Sequence, residues 1–188
     1  MKGSMRNTVA VAALAAGSLV VAGTVLASSA IAAPKTQGSK LNDPTIVAIF
    51  DAANTWDVET GGLAAKRGKT KDVREFAQML VHDHKAVRQQ GRDLAKKLGV
   101  TPTPPKDFQM AKDHAAAMKK LRGLHGAAFD RAFLAHEVAY HKAVIDAVTT
   151  TLLPAIQNAE VKDLVTKVAP AFNAHMMKAQ SLLDNYPK

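Results

Sequence analysis

The chain contains no cysteine. Disulfide bonds, thiolate metal ligands and thiol catalysis are therefore excluded, and packing must hold the fold together. Aromatic residues make up only 5% of the sequence. We also find no strand-type alternation, nucleophile elbow, phosphate-binding loop or dinucleotide-binding motif. The sequence therefore predicts an all-α protein and favours a role without catalysis.

The first 32 residues have the pattern of a signal peptide. A basic start precedes an apolar run over residues 9–26, and small residues follow. Ala30-x-Ala32 predicts cleavage before Ala33. The alternative is a retained membrane anchor, because the apolar run is close to spanning length. We expect a periplasmic or otherwise exported protein that has no transmembrane span after cleavage.

Basic residues outnumber acidic ones along the chain. The formal net charge is +9, and it falls to +7 when Lys2 and Arg6 leave with the signal peptide. The polyanions that an exported protein meets are anionic surfaces of the cell envelope rather than nucleic acid. A solvated, lysine-rich surface is the simpler interpretation, and we favour it. The sequence gives no oligomeric state.

Helical periodicity and capping residues predict one domain over residues 43–184, after a disordered lead at 33–42. Two helices that share a short connection come first, and a second such pair follows. A proline-rich linker and a short helix join the pairs, which is the pattern of a four-helix bundle with a crossover segment. The predicted long helices are 44–67, 70–98, 127–153 and 159–183, and the predicted crossover helix is 107–121.

One ionisable side chain lies in the middle of the apolar stripe of each long helix. The second, third and fourth helices carry His84, His141 and His175, and the first carries Glu59. Asp57 lies about 200° from Glu59 around the helix, so both cannot point inward. Glu59 fits the stripe better, and we expect it to be the inward carboxylate.

A single inward histidine is usually a neutral core residue with one hydrogen bond. Three of them with a carboxylate can instead satisfy their lone pairs on one cation. We therefore predict a divalent transition-metal site formed by His84, His141, His175 and Glu59. Glu137, one turn before His141, is a fifth ligand or a hydrogen-bond acceptor for an imidazole.

The ligand types favour Zn, Fe or Mn over Cu. Methionines could add soft ligands for copper or bind haem, but methionine is more often core filler, and we do not expect haem. The other histidines are interpreted as solvated, with His136 flanking the stripe of its helix. These residues are His82, His114, His125 and His136.

Four stretches together resemble a known family: DVETGGLA at 57–64, FAQMLVHDH at 76–84, FDRAFLAHEVAYH at 129–141 and APAFNAH at 169–175. The family is an exported bacterial domain of unknown function, number 4142, in the ferritin-like superfamily. The resemblance implies a ferritin-like bundle with recurring histidines at His84, His141 and His175. It also implies recurring carboxylates at Asp57 and Glu59, although the first is typically glutamate.

Ferritin-like di-iron proteins carry Glu-x-x-His motifs on two helices. This chain has none, because Glu137 and His141 are four residues apart. The departure argues against a di-iron oxidase and favours a single metal. Two alternatives stay open: a metal-free structural or interaction module of the cell envelope, and a ferritin-like redox enzyme.

Overall fold

The computed structural model describes residues 41–187, which form a helical bundle without a strand in that range. The four-helix architecture with a short crossover helix is confirmed. The predicted signal peptide and residues 33–40 of the predicted lead lie outside the described residues. In chain order the elements are α1 (Asp43–Arg67), α2 (Lys71–Lys97), α3 (Gln109–Arg122), α4 (Gly126–Ala147), a π-helical turn (Val148–Leu152), α5 (Leu153–Ala155) and α6 (Ala159–Asp184).

Polar side chains fix where three of the long helices begin. The Asn42 side chain accepts a hydrogen bond from the Thr45 amide at 3.0 Å, at the start of α1. Thr70 caps α2 in the same way, and Asn158 caps α6. Each cap satisfies a backbone N–H that has no partner within its own helix. The predicted starts of these helices are therefore correct to within one residue.

The helix pairs are joined at their ends by polar contacts. At one end, the Asp43 carboxylate accepts hydrogen bonds from the Gln157 and Asn158 amides, both at 2.9 Å. Lys97 pairs with Glu160 nearby. The start of α1, the end of α2 and the start of α6 therefore meet there. Along the α1–α2 contact, a Cβ added at Gly91 would lie 3.0 Å from the Phe50 ring, so glycine permits the close approach.

Asp130 organises the opposite end of the bundle. It is fully buried, and its carboxylate accepts hydrogen bonds from the Lys69 and Thr70 amides at 2.8 and 2.9 Å. The Tyr186 hydroxyl donates to the same carboxylate at 2.9 Å. One side chain of α4 thus ties the α1–α2 turn to the residues that follow α6.

We expect Tyr186→Phe to lower the free energy of unfolding by about 1.5 kcal/mol, since it removes a hydrogen bond to a buried charge and little packing. Chemical denaturation measures the change. Gln180→Ala is the control, because it removes only an exposed hydrogen bond to Asp184. If the two substitutions lower the free energy of unfolding equally, the Tyr186–Asp130 hydrogen bond does not stabilise the contact between these helices.

The third predicted helix does not stay α-helical to residue 153. It changes to a π-helical turn at Val148, where three threonines follow one another. The Thr149 hydroxyl donates to the Ile145 carbonyl at 2.9 Å, and the Thr150 hydroxyl donates to the Asp146 carbonyl at 2.6 Å. Hydroxyls that compete for backbone carbonyls disturb the regular α-helical pattern. In contrast, α6 runs without a break through Pro170, from Ala159 to Asp184, where the sequence predicts a helix over 159–183.

The apolar core has two parts. One surrounds Phe50 and Phe172, and the other surrounds Phe76 and Phe133. Between them, each of the four long helices contributes buried polar side chains, and we call this set the polar layer. Its members are Asn54, Asp57, Thr60, His84, Glu137, His141 and His175. Within the described residues, we find no helix with the length and apolar character that crossing a membrane requires.

Candidate metal centre

The three predicted histidines lie together in the polar layer. The ring centroids of His84 and His141 are 5.5 Å apart, those of His84 and His175 are 5.1 Å apart, and those of His141 and His175 are 5.4 Å apart. One ligand nitrogen from each lies within 4.8 Å of the others. No one of the three residues is more than 4% exposed. Helical periodicity therefore predicted correctly which histidines face the core.

The hydrogen bonds fix which nitrogen of two rings carries the proton. His141 Nδ1 donates to the Glu137 carbonyl at 3.0 Å, and His175 Nε2 donates to the Asp83 carboxylate at 3.0 Å. Both partners can only accept. In the neutral ring, the second nitrogen of each, Nε2 of His141 and Nδ1 of His175, therefore carries the lone pair. Neither has a hydrogen-bond partner among the described residues.

His84 is fixed by an amide. The Asn54 side-chain nitrogen donates to the Phe50 carbonyl at 2.8 Å, so the amide oxygen faces His84 Nδ1, 2.9 Å away. His84 Nδ1 donates to that oxygen, and Nε2 carries the lone pair. Nε2 is buried and has no partner within the described part of the chain. The polar layer thus contains three buried, unpaired imidazole lone pairs, one from each of three helices.

Two carboxylates complete the layer. Asp57 Oδ1 lies 4.0 Å from His141 Nε2, and Asp57 Oδ2 lies 3.5 Å from His84 Nδ1. One ligand atom each from Asp57, Glu137 and His141 lie within 4.8 Å of one another. Asp57 Oδ1 and both carboxylate oxygens of Glu137 are buried and unpaired among the described residues. Acceptors outnumber donors in this layer.

Burial sets the charge states of the layer. It lowers the pKa of His84 to about 2, with His141 and His175 as further causes. It lowers the pKa of His141 to about 3, with His175 as the second cause. Burial raises the pKa of Glu137 to about 7. The pKa of Asp57 is raised well above its usual range by burial first and by the charge of Glu137 second. At neutral pH the imidazoles of His84 and His141 are uncharged ligands.

Glu59 does not lie in the polar layer, and the preference for it over Asp57 is corrected. The Glu59 side chain is half exposed, and it accepts a hydrogen bond from His114 Nε2 at 2.8 Å. Trp56 beside it packs on Phe108 and His114, with ring centroids 5.2 and 5.4 Å apart. The crossover segment thus covers the face of α1 that carries Trp56 and Glu59. The opposite, inward face carries Asp57.

The other histidines differ in exposure. His82 and His125 are exposed, as expected, and His136 is half-buried beside the polar layer. His114 was expected to be solvated but is only 9% exposed, since it packs under Trp56 and pairs with Glu59.

The side chains that orient two of the imidazoles were not predicted from the sequence. Asn54 orients His84. The only feature of the sequence that points to this role is that Asn54 lies three residues before Asp57, on the same helix face. Asp83 orients His175 from a neighbouring helix, and nothing in its local sequence indicates this role. A carboxylate or amide that holds the second nitrogen is typical of metal-binding histidines.

The fold and the polar layer define an all-α bundle with a buried cluster of histidines and carboxylates that could hold a metal ion. A family model described as "Domain of unknown function (DUF4142)" matches residues 27–182. The chain belongs to this family.

Among solved structures, the chain is similar to the crystal structure of a DUF305 fragment from Deinococcus radiodurans. The sequence identity is 16% and the TM-score is 0.66. The similarity covers 75% of this chain and 94% of the fragment. At this identity the likeness supports the helical fold alone. No curated protein matches the chain in sequence.

Proposed function

We propose that the bundle binds one divalent transition-metal ion through His84, His141, His175 and Asp57. Glu137 stands beside these ligands as a further donor or a hydrogen-bond acceptor. The observation that carries the proposal is the close approach of three buried histidines. One ligand nitrogen of each lies within 4.8 Å of the others, and each has one ring nitrogen without a hydrogen-bond partner among the described residues.

The three lone pairs cannot satisfy one another, because each is an acceptor. An unpaired buried polar group costs about 1–3 kcal/mol, and the layer holds several of them. One cation would satisfy all three nitrogens and the free Asp57 oxygen at once. A metal-free structural module could offset only part of this cost, through protons held by Asp57 and Glu137, so the arrangement supports metal binding over that alternative.

His141 limits the number of ions in this layer to one. The residue belongs both to the histidine cluster and to the group that it forms with Asp57 and Glu137. Its Nδ1 is used by the Glu137 carbonyl, which leaves Nε2 as the single ligand atom. The two groups therefore compete for one nitrogen. This supports one ion and argues against a pair of equally ligated ions.

The charge of the layer favours a divalent ion. Burial raises the pKa values of Asp57 and Glu137, so a bound cation would displace their protons, and the charges of the two carboxylates would then balance a divalent ion. Imidazole and carboxylate ligands suit Zn, Fe and Mn, and they also bind Cu. A bound ion of this kind supplies Lewis acidity or, for Fe, Mn and Cu, redox chemistry. The protein residues hold it away from bulk water.

The test is metal analysis and calorimetry on the full chain. We expect one tightly bound equivalent of Zn²⁺, Fe²⁺ or Mn²⁺, and a metal-free form with a lower melting temperature, since a ligand that binds only the folded state stabilises it. If the chain binds no tight equivalent and none of these ions or Cu²⁺ raises its melting temperature, the layer is a metal-free structural feature. Peroxide or dioxygen turnover by the iron-loaded form would instead support the redox-enzyme alternative.

We also propose that the protein acts outside the cytoplasm. The support is the basic start, the apolar run and the small residues before Ala33 in the sequence. N-terminal sequencing of the protein from an expressing bacterium should give a mature chain that begins near Ala33. A chain that still begins at Met1 and sediments with membranes would contradict the proposal.

A further inference from the structure

A second group of polar residues lies outside the polar layer, between α3 and α4. These helices enclose a cleft of about 280 Å³. Three alanines form its apolar surface. The side chains that carry donor atoms are Met110, Asp113 and His114 from α3 and His136 and Tyr140 from α4.

His114 donates one ring N–H to a carboxylate, as metal-binding histidines typically do. Its Nε2 donates to the Glu59 carboxylate at 2.8 Å, so in the neutral ring Nδ1 carries the lone pair. His114 is 9% exposed, and its Nδ1 is buried without a hydrogen-bond partner among residues 41–187. The ring also stacks on Trp56, with centroids 5.4 Å apart and planes at 18°. Its orientation is therefore fixed from two sides.

His136 supplies a second imidazole from the facing helix. Its ring stacks on Tyr140, with centroids 5.6 Å apart. His136 lines the same cleft as His114, so the cleft has one imidazole from each of the two helices.

We propose that the α3–α4 cleft is a second transition-metal site, with His114 and His136 as ligands for Zn²⁺ or Cu²⁺. Asp113 and Met110 of α3 also line the cleft, within about one turn of His114, and offer a carboxylate and a thioether. Imidazole, carboxylate and thioether together suit borderline cations better than Mg²⁺ or Ca²⁺. We expect weaker binding here than in the polar layer, since Asp113 is exposed and Met110 is only half-buried.

The position of the cleft suggests its use. Tyr140 lines it, donates its hydroxyl to the Ala53 carbonyl at 3.0 Å, and packs against His141 with ring centroids 6.0 Å apart. One side chain therefore separates the cleft from the polar layer. An ion held in the cleft is poised for transfer to the buried ligands. This loading role rests on the proposed function, whereas the cleft site itself does not.

The test is calorimetric titration of the full chain with Zn²⁺. The wild type should bind one tight and one weaker equivalent. His136→Ala, which changes only a half-buried side chain, should weaken the second equivalent by at least about 10-fold. His114→Ala/His136→Ala should abolish it. His82→Ala is the control, because His82 is an exposed histidine outside both sites, and it should change neither equivalent.

A variant without the central ligands, His84→Ala/His141→Ala, separates the two proposals. It should lose the tight equivalent and keep the weaker one, and bound Cu²⁺ should show two nitrogen ligands by electron paramagnetic resonance. If His114→Ala/His136→Ala still binds the weaker equivalent of Zn²⁺, the cleft is not a metal site. The cleft site is also overturned if the wild type binds a single equivalent that is lost with the central ligands, and the proposed function then stands. If the wild type binds only a weaker equivalent, and binding requires His114 and His136, the cleft site alone is supported.

Discussion

Replacing His141 with alanine should lower the affinity of the polar layer for Zn²⁺ by more than about 100-fold, which corresponds to about 2.8 kcal/mol. The reason is that His141 belongs to both groups of potential ligands in the layer. Loss of a residue that only orients a metal ligand typically lowers the metal affinity 10–100-fold, so loss of the ligand itself should lower it further. Competition with a chelator of known affinity measures the change.

His82→Ala is the matched control, since it removes an exposed histidine two residues from His84 and should leave the affinity unchanged. Circular dichroism of the metal-free His141→Ala variant shows whether the bundle is intact. If the folded variant binds Zn²⁺ as tightly as the wild type, the layer is not a metal site. His141 is then a core histidine hydrogen-bonded to the Glu137 carbonyl.

Acidification should release the central ion, and the carboxylates rather than His84 and His141 should set the pH at which release begins. The pKa values of His84 and His141 are lowered to about 2 and about 3, so both stay neutral well below pH 6. Glu137 has a pKa raised to about 7, and the pKa of Asp57 is also raised. Below about pH 7 the metal-free layer therefore takes up protons that a cation must displace.

We expect the Zn²⁺ affinity to fall by about 10-fold per pH unit below pH 7, with about one proton released per ion bound. Calorimetry in two buffers of different ionisation enthalpy counts the protons. Glu137→Gln should weaken this dependence, because it removes one of the two acids and the repulsion that contributes to the raised pKa of Asp57. An affinity that stays constant between pH 7 and 5.5 would show that the carboxylates take no part.

The sequence predicts the site residues well only where the apolar residues of a helix lie on one face. On α2 and α6 a single apolar stripe faces the core, and counting in steps of three and four places His84 and His175 correctly. On α1 apolar residues occupy more than one face. The sequence alone then favoured the stripe with Trp56, and with it Glu59, over the stripe with Asp57.

The inward face of α1 is decided by distant residues. Phe108 and His114 of the crossover cover Trp56, although they are far from it in the sequence. The position of the proton on two imidazole rings also depends on residues distant in sequence. Asn54 accepts a hydrogen bond from His84, and Asp83 accepts one from His175, each from a neighbouring helix. Local periodicity carries no information about such partners. The fold was therefore predictable from the sequence, but the choice of carboxylate was not.

The division of the apolar core has a consequence for cooperativity. Hydrophobic contacts link residues strongly within each half, but the polar layer interrupts them at mid-height on all four long helices. Regions that are joined by few apolar contacts tend to open as separate units. An ion bound to three helices or more would couple the halves. The metal-free chain should thus show two classes of hydrogen-exchange rate along each long helix, and the loaded chain should open as one unit.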